Sequence, residues 1–77
     1  MYTVYSKNNC TYCQKAKQLL QQSGEQYEVL TLGADYDREW LIDHIHTNYN
    51  IIPRTMPVIL CDGEYVGGYT ELLAELS

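Results

Sequence analysis

The stretch Tyr2-Thr3-Val4-Tyr5, followed by Cys10-Thr11-Tyr12-Cys13 on the way to Ser23-Gly24, and then by Tyr27-Glu28-Val29-Leu30-Thr31-Leu32, decides the fold. Tyr2–Tyr5 is β-branched and aromatic and reads as a short strand, closed by the polar loop Ser6-Lys7-Asn8-Asn9. From Thr11 to Ser23 the hydrophobic period becomes helical. Cys13, Ala16, Leu20 and Ser23 share one side, Tyr12 and Leu19 flank it, and Gln14, Lys17, Gln18 and Gln21 face out. Gly24 is a C-terminal stop, and Tyr27–Leu32 is a second strand. Strand, helix and strand in this order imply two parallel strands joined by a right-handed crossover.

Downstream, Gly33-Ala34-Asp35 turns into a second helix, expected from Tyr36 or Asp37 to Asn48. Asp35 and Asp37 are both able to cap it, and Trp40, Leu41, Ile45 and Tyr49 fall on its apolar side. Pro53 and Pro57 bracket a loop that regular helix cannot cross. Val58-Ile59-Leu60-Cys61 is a continuous apolar run, as in a strand buried on both faces. Asp62-Gly63 is a strong hairpin signal, so Glu64–Gly67 should pair antiparallel with it. Thr70 reads as the cap of a short last helix bearing Leu72, Leu73 and Leu76, with Glu71 in its first turn. The order β-α-β-α-β-β-α predicts an α/β domain over residues 1–77, a mixed four-stranded sheet flanked by three helices.

The chain has 77 residues, 45% of them hydrophobic and only 19% charged, with eight Tyr, one Trp and no Phe. That composition excludes a disordered segment, and the length fits one small domain. No apolar run approaches the ~18 residues of a membrane helix. The start lacks the basic and then apolar pattern of a signal peptide, so a cytoplasmic protein is expected. The net charge of −5 argues against nucleic acid or an anionic membrane as partner. It is unevenly spread: residues 1–24 carry Lys7, Lys15 and Lys17 and no acid, whereas residues 25–77 carry all ten acids and only Arg38 and Arg54. A positive end on an acidic chain suits a thiolate or a small anionic ligand.

Three cysteines, Cys10, Cys13 and Cys61, do not make the even-numbered framework of a disulfide scaffold. A Cys10–Cys13 bridge would close a very short loop and staple little, so it would serve chemistry. The two sulfurs, three residues apart at a helix start, come within bonding reach. Cys10 sits where unpaired N–H groups converge and the helix dipole is positive, and Lys7 adds charge from the preceding loop. Both effects lower a thiol pKa from about 8.5 toward neutrality. Cys13, a turn inward on the apolar side, should be less exposed. One attacking and one resolving thiol is what thiol–disulfide exchange requires. A zinc site needs about four ligands; Cys61 is single and His44 and His46 point to different sides, so no metal is expected. Cys61 reads as a core residue, and His44 and His46 as surface residues.

Lys7-Asn8-Asn9-Cys10-Thr11-Tyr12-Cys13, Arg54-Thr55-Met56-Pro57 and Gly67-Gly68-Tyr69-Thr70-Glu71 resemble the three signatures of a glutaredoxin, in order and spacing, over essentially the whole chain. Leu32-Gly33-Ala34-Asp35 with Arg38-Glu39 is also similar to the start of the second helix in short bacterial and phage glutaredoxins. The resemblance implies a thioredoxin-like fold and a glutathione-dependent thiol–disulfide oxidoreductase that reduces protein disulfides and protein–glutathione mixed disulfides. Cys10 would be the nucleophile and Cys13 the resolving thiol. Met56-Pro57 would hold a cis peptide, with the Met56 backbone groups exposed to pair with glutathione. Lys7 and Arg54, followed by Thr55, would lie near the glycyl carboxylate, and Tyr12 would pack along the tripeptide. Gly67-Gly68 would let the backbone approach the ligand, Thr70 and Glu71 would receive its γ-glutamyl end, and Tyr69 would be a further glutathione-binding residue.

Glutathione is the only cofactor this implies, and the partners are disulfide-bearing clients, among them ribonucleotide reductase, of a monomeric protein. Thr11 stands where the commonest dithiol motif has Pro, and Glu71 where Asp is usual. Two other functions fit some of these residues: a redoxin reduced directly by thioredoxin reductase, and a module holding an iron–sulfur cluster between two chains.

Overall fold

The computed structural model describes residues Met1–Ser77. Its elements are β1 (Tyr2–Ser6), α1 (Thr11–Gln22), β2 (Tyr27–Thr31), α2 (Arg38–Tyr49), β3 (Val58–Cys61), β4 (Glu64–Gly67) and α3 (Tyr69–Leu76). The strands form one sheet in the order β2-β1-β3-β4. β1 runs parallel to β2, with Ser6 opposite Thr31. It runs antiparallel to β3, with Tyr5 opposite Val58. β3 pairs antiparallel with β4, with Ile59 opposite Gly67. These registers put the ends of β1, β2 and β4 and the beginning of β3 at one end of the sheet. The expected thioredoxin-like arrangement is the one observed.

Alternation along the strands feeds two cores. Tyr2 and Val4 of β1 and Ile59 of β3 face α1 and α3, where they meet Ala16, Leu20 and Leu72. Tyr5, Val58 and Leu60 face α2 and meet Leu41 and Ile45. β3 is therefore covered on both sides, as its unbroken apolar run requires. Each Leu or Ile buried this completely contributes about 1.5–3 kcal/mol, and such side chains from all three helices fix the helices to the sheet. No helix is long and apolar enough to cross a membrane.

Several local expectations are corrected. α1 ends at Gln22, with Ser23 as its cap and Gly24 just beyond at φ +71°. Leu32 makes only an isolated bridge to Tyr36 rather than extending β2. Asp37 caps α2, its carboxylate accepting the Trp40 N–H at 2.8 Å. Asp35 instead accepts the Thr31 N–H at 2.7 Å and tightens the preceding turn. Because α2 starts at Arg38, Leu41 and Ile45 point at the sheet. Trp40 lies one position to the side of that stripe, is 46% exposed, and stacks on His44. Cys61 is half-buried at the end of β3 rather than in the core.

The largest revision concerns α3. Thr70 does not cap it; Gly68 does, in extended conformation, and Thr70 is the second helical residue. The Glu71 carboxylate reaches back to accept the Gly68 N–H at 2.8 Å. That is half of a capping box, completed on the carboxylate side only because glycine has no side chain. A capping side chain replaced by Ala costs about 0.5–2 kcal/mol, whereas exposed positions outside a cap change stability by about 0.5 kcal/mol or less. In urea unfolding, Asp37→Ala should therefore lose about 1 kcal/mol and Thr70→Ala should stay near the parent.

Candidate active site

The two active-site sulfurs differ because of where α1 begins. Asn9 takes a left-handed φ of +56°, a region Asn tolerates, and turns the chain so that Cys10 becomes the extended N-cap of α1. The Cys10 sulfur accepts the Cys13 N–H at 3.2 Å, filling the role Ser or Asp has at other caps. Hydrogen bonding at a helix N-terminus favours the anionic form of the acceptor, so the geometry stabilises a thiolate on Cys10. Cys13 is fully buried on the core side of the helix, while Cys10 remains partly exposed. The pair is joined as a disulfide, with Cα atoms 5.2 Å apart. One sulfur is open to solvent and the other lies behind it.

The loop before β3 closes against this helix start. The Met56 carbonyl oxygen lies 3.9 Å from the Cys10 sulfur. The Met56–Pro57 peptide is cis, and Pro57 is buried. Gly68 abuts the same segment: a Cβ there would stand 3.5 Å from the Pro57 carbonyl oxygen. Gly67, at φ +129°, has a firmer requirement, because a Cβ would come within 2.8 Å of the Glu71 side chain. The glycine at 67 thus accommodates the Glu71 carboxylate folded beneath it.

Beside Met56, a cleft of about 130 Å³ opens between the loop and α2, lined by Lys7, Tyr36, Arg38, Leu41, Arg54, Thr55 and Met56 among others. No Asp or Glu lines it. The Tyr36 hydroxyl donates to the Ser6 carbonyl at 2.7 Å and ties the wall of the cleft to the end of β1. Burial, with Tyr5 and Asp35 adding less, pushes this hydroxyl up to about 12, so it remains a donor at neutral pH. On the α1–α3 side, the Tyr12 and Tyr69 rings lie 5.9 Å apart, and the Lys15 ammonium sits 5.2 Å from the centre of the Tyr12 ring.

The comparisons with known proteins agree with this geometry. The family model described as Glutaredoxin matches residues 2–66. The chain belongs to the glutaredoxin family. The glutaredoxin of Vernicia fordii is 35% identical over 65 residues, covering 84% of this chain and 61% of that protein. Glutaredoxin 3 of Escherichia coli is 32% identical over 72 residues, covering 92% of this chain and 80% of that protein. A buckwheat glutaredoxin–glutathione complex superposes with a TM-score of 0.79 at 26% identity, over 96% of this chain and 66% of that one. This glutaredoxin chain thus spans about three-fifths of the length of its Vernicia relative.

The residues singled out in the sequence all lie at one end of the sheet, in three groups, with Gly67 at the end of β4 leading into the third. Cys10 caps α1 and Cys13 lies in its first turn. Lys7, Arg54, Thr55 and Met56 share the cleft. Tyr12 faces Tyr69, and Gly68, Thr70 and Glu71 form the start of α3 next to Pro57. The sequence reading missed Arg38, the third cation of the cleft, and Tyr36 in its wall. Arg38 had a signal: it is one of only two bases in the acid-rich residues 25–77. No cluster of three or more His, Cys, Asp or Glu is placed to hold a metal ion. In the reduced protein, limiting iodoacetamide near neutral pH should alkylate Cys10 first. Peptide mass mapping checks this; Cys13 modified ahead of Cys10 would contradict the placement of the two sulfurs.

Proposed function

We propose that the chain is a glutathione-dependent thiol–disulfide oxidoreductase acting on protein–glutathione mixed disulfides and on protein disulfides. The observation that carries this is the Cys10 sulfur at the N-terminus of α1, beside the Met56 carbonyl and a cleft whose charged side chains are all cationic. A glutathionylated client would meet the Cys10 thiolate, which attacks the glutathione sulfur and releases the client thiol. A second glutathione then attacks the Cys10–glutathione disulfide, giving oxidised glutathione and the free thiolate. With a protein disulfide, Cys13 would displace the client from Cys10 and close the disulfide seen here.

Glutathione would lie extended alongside Met56, pairing with its backbone N–H and C=O as an added strand does. Its glycyl carboxylate would sit among Lys7, Arg38 and Arg54, and Tyr12 would pack along the tripeptide. Its γ-glutamyl carboxylate would meet the N–H groups of Thr70 and Glu71 at the start of α3, where helix N-termini favour anions. The Glu71 carboxylate is already turned onto Gly68, so its backbone rather than its side chain would be used.

An assay coupled to glutathione and glutathione reductase, run beside one with thioredoxin reductase as sole donor, tests this. The wild type should turn over in the first and not the second. Cys10→Ser should be inactive. Cys13→Ser should keep most activity on a small glutathionylated substrate and lose most activity on a protein disulfide. A Cys13→Ser variant dead toward the glutathionylated substrate, or turnover with thioredoxin reductase alone, would overturn the proposal.

A further inference from the structure

The bases and acids at the dithiol end are treated differently by the fold. Asp35, Asp37 and Glu71 each turn a carboxylate oxygen back onto a backbone N–H, of Thr31, Trp40 and Gly68 respectively. Only Glu39, in the first turn of α2, is left among the acids there. The bases are not so engaged. The one ion pair in the molecule joins the Met1 ammonium to Asp62 at the opposite end. Lys7, Arg38 and Arg54 line the cleft beside Met56, and Lys15 sits on α1 five residues after Cys10, all with no carboxylate at ion-pair distance. They come from both layers: Arg38 from α2 on one face of the sheet, and Lys15 from α1 on the other, held over the Tyr12 and Tyr69 rings. In a chain of net charge −5, four of the five bases thus lie at the end of the sheet that carries the Cys10–Cys13 pair, as a positive rim on both faces.

A single tripeptide of net charge −1 does not use such a rim fully. A disulfide client passing through a covalent bond to Cys10 must lay the residues on both sides of its own cysteine across the same surface. We propose that this rim is a docking surface for acidic client segments, with Asp or Glu flanking the target cysteine on both sides. The proposal rests on the thiol–disulfide function above and specifies its protein substrates. In the exchange, the Cys10 thiolate attacks one client sulfur, forming the Cys10–client bond and expelling the other client sulfur, which takes up a proton. Cys13 then loses its proton to solvent and attacks the Cys10 sulfur, closing the Cys10–Cys13 disulfide and freeing the second client thiol. Two electrons pass from the protein dithiol to the client.

The test uses the full chain, reduced beforehand and freed of reductant, mixed with three disulfide peptides that differ only in carrying Glu, Gln or Lys around the cysteines. At low salt the Glu peptide should be reduced about tenfold faster than the Gln peptide, the lower end of what electrostatic steering gives, and the Lys peptide more slowly than the Gln peptide. Near 0.5 M salt the three rates should converge, because screening then acts over only a few ångströms. Lys15→Gln should lower the Glu-to-Gln rate ratio, whereas Lys17→Gln, outside the rim, should leave that ratio unchanged. Equal rates for the Glu and Gln peptides at low salt would overturn acidic docking and leave the oxidoreductase function standing. Failure to reduce any of the three would overturn that function, and acidic docking with it.

Discussion

The pairing of β1 with both β2 and β3 is the constraint on which the site depends. β1 is central, parallel to β2 and antiparallel to β3, and β4 returns antiparallel beside β3. Strand directions alone then deliver four separate segments to one end: Lys7–Cys13, Gly33–Arg38, Pro53–Pro57 and Gly67–Glu71. None of them is near another in sequence except through these ladders. A one-residue slip in any ladder would exchange the faces of a strand, burying what is now outside. The two cores forbid that slip, since Val4 and Tyr5 must face opposite helices.

On that frame the chemistry follows from asymmetry within one helical turn. The cap position leaves Cys10 partly open and hydrogen-bonded through its sulfur. The next position on the same side, Cys13, belongs to the buried stripe that continues through Ala16 and Leu20. The same positions that build the α1 core thus set which sulfur is open to solvent. The charge pattern acts in parallel, because three carboxylates at this end, of Asp35, Asp37 and Glu71, are engaged by backbone N–H groups while none of the bases there is in an ion pair.

Much of this was legible in the sequence. The change of period at Thr11, the apolar run at Val58 and the Asp62-Gly63 turn are local signals, and local signals place elements well. Where two side chains competed for one job, local chemistry did not choose. Asp35 and Asp37 are both capping residues, and the turn after Thr31 decided between them. Thr70 drew the cap of α3 because hydroxyls cap helices, yet the spacing of Gly68 and Glu71 is that of a capping box with its first side chain missing. The Trp40 expectation failed because a shift of one position on a helix turns a side chain by about 100°. The cleft itself was illegible, since it exists only where α2 meets the loop before β3, and Arg38 reaches it from a helix whose pattern reports packing rather than ligand contact.

The central claim is that these four distant segments form a single surface around Cys10, and the most direct measurement maps that surface in solution. The Cys13→Ser variant, loaded with glutathione as a mixed disulfide on Cys10, is compared with its reduced form by amide chemical-shift mapping. The account predicts large shifts at Lys7, Tyr12, Arg38, Arg54–Met56 and Gly67–Glu71, and none at the opposite end around Asp62 and Gly63. Shifts confined to the residues next to Cys10 in sequence, with Met56 and the start of α3 unmoved, would contradict it.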